Sequence, residues 1–111
     1  MEETIMRIER RKELERIIKE LEQLKDDVSD IVSRIEDLKE EVEAVKDEEE
    51  TAYDNMPEPF QESERGERMQ TAMDSMDSAI DSLDEMASDI DRAIDDTMDD
   101  VVEYLREAIN A

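Results

Sequence analysis

Between Leu14 and Val45 the apolar residues Leu14, Ile17, Leu21, Leu24, Val28, Ile31, Ile35, Leu38, Val42 and Val45 recur in alternating steps of three and four. A step of about 3.5 residues keeps side chains on one face of an α-helix and on no face of a strand. The run therefore predicts one long helix with a coiled-coil seam. Ile18 and Val32 widen the stripe on one side, while Ile5 and Ile8 lie out of phase upstream. The remaining positions mix charges of both signs, and Glu3–Arg7, Glu15–Lys19 and Asp30–Arg34 are spaced to pair at i,i+4. Each such pair stabilises a helix by a few tenths of a kcal/mol.

The second half repeats the pattern in a different vocabulary. From Met69 the apolar positions are Met69, Ala72, Met73, Met76, Ala79, Ile80, Leu83, Met86, Ala87, Ile90, Ala93, Ile94, Met98, Val101, Leu105 and Ala108. This face is wider than a two-position coiled-coil seam. Between the halves, the acidic run Asp47–Glu50 interrupts the seam. Tyr53-Asp-Asn-Met-Pro-Glu-Pro-Phe60 follows, with two prolines that end a helix and reverse the chain. Ser63 is suited to cap the returning helix, with Glu64 and Glu67 in its first turn. The expected architecture is all-α: a single domain 1–111, with helix 1 over about 4–50, a hinge over about 51–66 and helix 2 over about 67–109. The two helices form an antiparallel hairpin. Folding about residue 59 sets Leu14 near Tyr104, Leu21 near Thr97, Val28 near Ile90, Ile35 near Leu83 and Val42 near Met76. It also brings Arg7, Arg10, Arg11, Lys12 and Arg16 beside Asp95, Asp96, Asp99, Asp100, Glu103 and Glu107. Apolar surface left over on helix 2 predicts a homodimer, as a longer coiled coil or a four-helix bundle.

Composition narrows the function. The aromatics are Tyr53, Phe60 and Tyr104, and the chain has no His, no Cys and a single Gly. With no phosphate-cradling glycine loop and too little core to enclose a pocket, no enzymatic activity is expected. No cofactor is expected either. Asp95, Asp96, Asp99 and Asp100 could hold a divalent cation only loosely, because they lie on a helix rather than in a calcium-binding loop, and no metal is expected. No segment has the ~18 uncharged residues of a membrane span. The opening residues are charged rather than apolar, so the cytoplasm is the expected location.

Charge points to the kind of partner. The chain carries 37 acidic and 14 basic residues, net −23. Residues 1–50 hold 19 acids and 10 bases, whereas 69–111 hold 13 acids and 2 bases. Asp74, Asp77, Asp81, Asp84, Asp91, Asp95 and Asp99 recur in steps of three and four, broken at Ser88, with Asp96 and Asp100 on the flank. This places a carboxylate ladder on the face opposite the seam, one group per ~5 Å of helix, against a phosphate every ~3.4 Å along a DNA strand. Like charges four apart oppose helix formation, so such an array suggests an external partner. The plain alternative is a solvated helix face. A third reading, the acidic surface of a halophile, is disfavoured by the lysines of helix 1 and by the Ile and Met content.

The hinge carries a resemblance. Tyr53, Asp54, Asn55, Met56, Pro57, Glu58, Gln61, Ser63, Glu64 and Arg65 match an aromatic-Asp-Asn-apolar-Pro-Glu…Gln…Ser-Glu-Arg pattern. In this the chain resembles a group of small acidic coiled-coil proteins from phages and mobile elements of Gram-positive bacteria. About 18 residues carry the likeness, and Pro59 stands where a less restrictive residue is expected. The resemblance implies a phage context, and with it a bacterial cytoplasm, but no particular activity. As chemistry, the motif reads as a reversal: Asp54 and Asn55 bond the turn, Pro57 starts the return, Tyr53 and Phe60 cap the end and Arg65 offsets local acid.

Two functions fit these observations. In the first, the protein is a nucleic-acid mimic that inhibits a host-defence protein of the anti-CRISPR or anti-restriction type. Asp74, Asp77, Asp81, Asp84, Asp91, Asp95, Asp96, Asp99 and Asp100 would occupy the basic groove of that nucleic-acid-binding protein, with no direct contact to nucleic acid or membrane. In the second, the chain is a structural or assembly coiled coil in which the apolar seam does the work.

Overall fold

The computed structural model describes residues 2–111; 95% of the chain is helical and no strand occurs among the described residues. Helix α1 spans Glu2–Asp54, α2 Glu58–Gln61 and α3 Glu64–Arg92. A π-helical segment, Ala93–Thr97, leads into α4, Met98–Asn110.

Helix α1 runs through Asp47–Glu50, where the seam is interrupted, and ends at Asp54. Glu is a good helix former, and neighbouring like charges cost only tenths of a kcal/mol each. A stronger constraint is needed to stop the helix, and Pro57 supplies it by disfavouring helical geometry at Met56. The Asn55 N–H still reaches the Thr51 carbonyl at 3.1 Å, and the Met56 N–H closes a tighter turn onto Tyr53 at 3.0 Å. The return begins at Glu64 with Ser63 as its cap. The Ser63 hydroxyl accepts the Gly66 N–H at 3.4 Å and itself donates to the Phe60 carbonyl.

Gly66 is buried in the first turn of α3 at an ordinary negative φ. Its role is close approach: a Cβ there would lie 2.0 Å from the Gln61 carbonyl oxygen and 2.8 Å from the Gln61 Cα. The absence of a side chain lets the α3 backbone rest on the end of α2.

Contacts group the chain into two compact units. One combines Ser33–Ser88, and so the end of α1, the reversal and most of α3. In it Lys39 pairs with Asp84 at 3.1 Å and Lys46 with Asp77 at 2.5 Å, while Gln70 Nε2 donates to the Tyr53 hydroxyl at 2.7 Å. Each of these pairs straddles the same midpoint, between Gln61 and Glu62. The expected fold about residue 59 is corrected accordingly, because α1 extends to Asp54 and α2 adds a turn before the return.

The other unit combines the chain up to Val32 with Asp89–Ala111. Lys25 meets Asp99 at 3.0 Å, and Glu22 meets Arg106 at 3.1 Å. The expected meeting of the arginine cluster with acidic side chains takes another form: Arg7 Nη2 donates to the Ala111 carbonyl at 2.6 Å and Arg11 Nε to that of Ile109 at 3.1 Å. Those oxygens have no helical donor, so guanidinium groups satisfy them well. In the same unit Ile90, Ile94, Met98 and Val102 face inward at successive steps of four, then Leu105 and Ile109 follow. A regular α-helix would rotate that stripe away. The π turn absorbs the extra residue, with the Met98 N–H reaching five residues back to Ala93. Val101 and Ala108, expected inward, are therefore exposed, and Val102 and Ile109 take their places.

Candidate interaction surfaces

On α1 the seam lies beside the one that periodicity selects. Leu14, Leu21, Val28, Ile35 and Val42 are half-buried as expected. Of the alternate positions only Ile17 is half-buried; Leu24, Ile31, Leu38 and Val45 are 47%, 50%, 52% and 54% exposed. Their inward places are taken by the four-residue steps, Ile18 and Val32, which are buried, and Lys25, Lys39 and Lys46, which are not fully exposed. Apolar periodicity could not favour a row containing three lysines. The signal that could have done so is their recurrence every seven or fourteen residues opposite Asp77, Asp84 and Asp99.

This arrangement gives each unit two unlike edges. On a helix, positions i+3 and i+4 fall on opposite sides of residue i. Lys39 stands four residues after Ile35 and Leu38 three after it; on α3, Asp84 stands four after Ile80 and Ala79 three after Met76. In an antiparallel pair, the i+4 sides of both helices adjoin, and here the bridges hold them together. In the unit Ser33–Ser88 the Lys39–Asp84 and Lys46–Asp77 bridges thus form one edge. The opposite edge is left with Leu38 and Val45 on α1 and Ala79 and Met86 on α3, all exposed. In the other unit the Lys25–Asp99 and Glu22–Arg106 bridges lie on the polar edge, and Leu24, Ile31 and Val101 are exposed on the apolar one.

The bridges act on the lysines. The carboxylates of Asp99, Asp84 and Asp77, by hydrogen bonding first, raise the ammonium pKa values of Lys25, Lys39 and Lys46 above the ordinary lysine value. On the outer surface of α1, Arg16 pairs with both Glu13 and Glu20, and its hydrogen bond holds the Glu13 carboxyl below the usual range. Arg68 pairs with Glu64 at 2.5 Å. Glu3–Arg7, Glu15–Lys19 and Asp30–Arg34 do not close as ion pairs.

The nine candidate aspartates divide into two sets. Asp77, Asp84 and Asp99 lie along the junction with α1, each held by a lysine, rather than on the face opposite the seam. Their four-residue offset from the inward positions puts them at the flank. Asp74, Asp81, Asp91, Asp95, Asp96 and Asp100 are exposed and form no ion pair among the described residues. Asp74 borders a shallow hollow with Tyr53 and Gln70, and Asp91 and Asp95 border another with Lys25 and Val32. No group of three or more acidic residues converges on a metal site among the described residues, and none of the described helices is long and apolar enough to cross a membrane.

At the hinge, Tyr53 is the organising residue. Its carbonyl accepts from Gln61 Nε2 at 2.9 Å and its hydroxyl from Gln70. Asp54 and Asn55 are exposed, and the turn is bonded by backbone groups and by Gln61 rather than by their side chains. Pro57 precedes α2 at φ −57°. Phe60 is 60% exposed and does not cap the end; Met56 is the half-buried apolar residue there. Arg65 is exposed and joins no carboxylate among the described residues. No family model, curated protein or solved structure matches the chain.

Proposed function

We propose that this chain is a non-enzymatic assembly protein that joins helical chains through its apolar edge. The observation that carries the reading is the exposed row Leu24, Ile31, Leu38 and Val45, which retains coiled-coil spacing while the bridged edge is already occupied. Burying one such side chain from full exposure is worth about 1.5–3 kcal/mol, and at 47–54% exposure about half of that is still available at each position. The acid then serves solubility and orientation. The test is a double variant, Leu38→Asp with Val45→Asp, in a bait chain washed at low and high salt. Association through an apolar edge survives high salt and is lost in the variant. A complex that dissolves in high salt and ignores the variant would refute the reading.

The nucleic-acid-mimic reading is supported by one specific observation, the exposed carboxylates of Asp81, Asp91, Asp95, Asp96 and Asp100, which close no ion pair among the described residues. On that reading, changing these five residues to Asn abolishes binding to a basic nucleic-acid-binding protein, and neutralising Glu36, Glu40, Glu41, Glu43 and Glu48, which close no ion pair among the described residues, does not. Asp77, Asp84 and Asp99 contribute less, since lysines of the same chain already neutralise them.

A further inference from the structure

We propose that the polar edge of the unit formed by the chain up to Val32 and Asp89–Ala111 is a docking groove for a basic amphipathic helix of another protein, one carrying Lys or Arg at four-residue steps. The groove lies on the edge opposite the exposed apolar row and is independent of the assembly reading.

The π turn builds one wall. Ile90, Ile94, Met98 and Val102 face inward at successive steps of four, and an acid follows each of them: Asp91, Asp95, Asp99 and Glu103. In a regular α-helix each four-residue step advances about 40° further round the axis, so such a row winds away from its neighbour. The wider turn over Ala93–Thr97 offsets that drift and keeps the carboxylates beside α1. Two hollows lie between this row and α1, and they share Lys25 and Asp26. Val32, Ile94, Met98 and Val102 give them an apolar floor, while Glu22 and Asp26 form the wall on α1.

The charge in the groove is not balanced from within. Lys25 closes on Asp99, and Arg106 closes on Glu22. Asp26, Asp91, Asp95 and Glu103 are exposed and close no ion pair among the described residues. Two of them converge on the same place. After the hydrogen bond and charge of Asp99, the carboxylates of Asp95 and Asp26 also raise the Lys25 ammonium pKa. Six carboxylates thus line the hollows against two cations. That balance favours a positively charged occupant and disfavours a nucleic acid, an anionic lipid surface or another net acidic copy of this chain.

Spacing and floor select the form of the occupant. Carboxylates four residues apart stand roughly 6 Å apart along the helix axis. Lys or Arg at every fourth position of a partner helix repeats at the same interval, so the opposite charges meet in register. The methylene stems of those side chains cover the apolar floor at Val32 and Ile94 while their charged ends reach the walls.

The test uses the full chain and two labelled peptides of about 16 residues, each made of Ala, Gln and Lys in the same proportions. One carries Lys at every fourth position; its isomer carries the same lysines at uneven steps. Fluorescence anisotropy at low salt reads the dissociation constants. The evenly spaced peptide should bind about tenfold more tightly than its isomer. Asp26→Asn, Asp91→Asn and Asp95→Asn together should weaken it by about tenfold. Asp81→Asn, Asp96→Asn and Asp100→Asn, an equal charge loss outside the groove, should weaken it by less than about threefold. Both triple variants remove mutually repelling charges, so circular dichroism should show unchanged helicity in each. Equal affinity for the two peptides, equal losses from the two triple variants, or no binding below about 1 mM overturns the groove. A larger loss from the outer triple variant also overturns it and favours the nucleic-acid-mimic surface instead.

Discussion

Gly66→Ala sets two physical effects against each other, and the structure determines which dominates. In a helix, Ala is more favourable than Gly by about 0.5–1 kcal/mol, because Gly loses more backbone freedom on folding. Gly66 has an ordinary φ, so no backbone strain opposes the change. Helix propensity alone therefore forecasts a more stable protein. Against it, the new Cβ would lie 2.0 Å from the Gln61 oxygen and 2.5 Å from its carbonyl carbon. Contacts below 3.0 Å are not sustained, so the two backbones must separate by about 1 Å. No rotamer change can relieve a clash between a Cβ and main-chain atoms. The separation also pulls on the Ser63 cap and the turn that ends α2. Overpacking of this kind costs about 1–3 kcal/mol. Less the propensity gain, the expected net loss centres on about 1 kcal/mol, a fall in melting temperature of about 4–8 °C for a domain of this size. Thermal melts followed by circular dichroism at matched concentration measure it. A Gly66→Ala protein that melts at or above the wild type would refute the close-approach argument and leave Gly66 as a mere weak point in the helix.

The other predictions concern the cap, the bridges, the core and the π turn. Ser63→Ala removes the oxygen that accepts the Gly66 N–H, and urea titration should show a loss of about 0.5–2 kcal/mol, whereas an unchanged midpoint would discount the cap. Lys25, Lys39 and Lys46 have pKa values raised by folding, so their stabilisation is complete below 10.5 and is lost as pH rises through the folded values. As pH rises above about 10.5, the wild type should lose melting temperature more steeply than a chain with all three changed to Met; equal slopes there would show that the bridges add nothing. Ile18→Ala truncates one of the buried residues and should cost about 2–5 kcal/mol at a concentration where the protein is fully assembled. A loss below 1 kcal/mol by chemical denaturation would put Ile18 outside the core. Deleting Thr97 removes the extra residue that the π turn absorbs, so helicity and midpoint should hold; deleting Asp84 from the regular part of α3 should lower both, and equal damage from the two would deny the π turn its role.

The helices were legible in the sequence because a 3.5-residue apolar period allows few alternatives, and the two prolines mark where the first helix must stop. Their ends were less legible. Glu48–Glu50 weaken the seam without breaking the backbone, so α1 continues to Asp54, and the extra turn of α2 moves the return to Gln61 and Glu62. The acidic set was legible as a ladder, but not its division into the exposed carboxylates that lysines hold and those that close no ion pair among the described residues.

What the sequence determined by itself is therefore the all-helical class, the break in the helix before Pro57 and the large negative charge. Each is set by neighbours a few residues apart: apolar steps of three and four, a proline's restriction on the residue before it, and composition. Tertiary structure alone decided which side of each helix is used. Leu38 and Lys39 are adjacent in the chain and equally compatible with a helix. Lys39 lies inward because Asp84 is there to meet its ammonium group while its methylenes cover the seam. That choice depends on the register between distant segments, which Gly66 and the Ser63 cap set at the turn, and it leaves Leu24, Ile31, Leu38 and Val45 exposed.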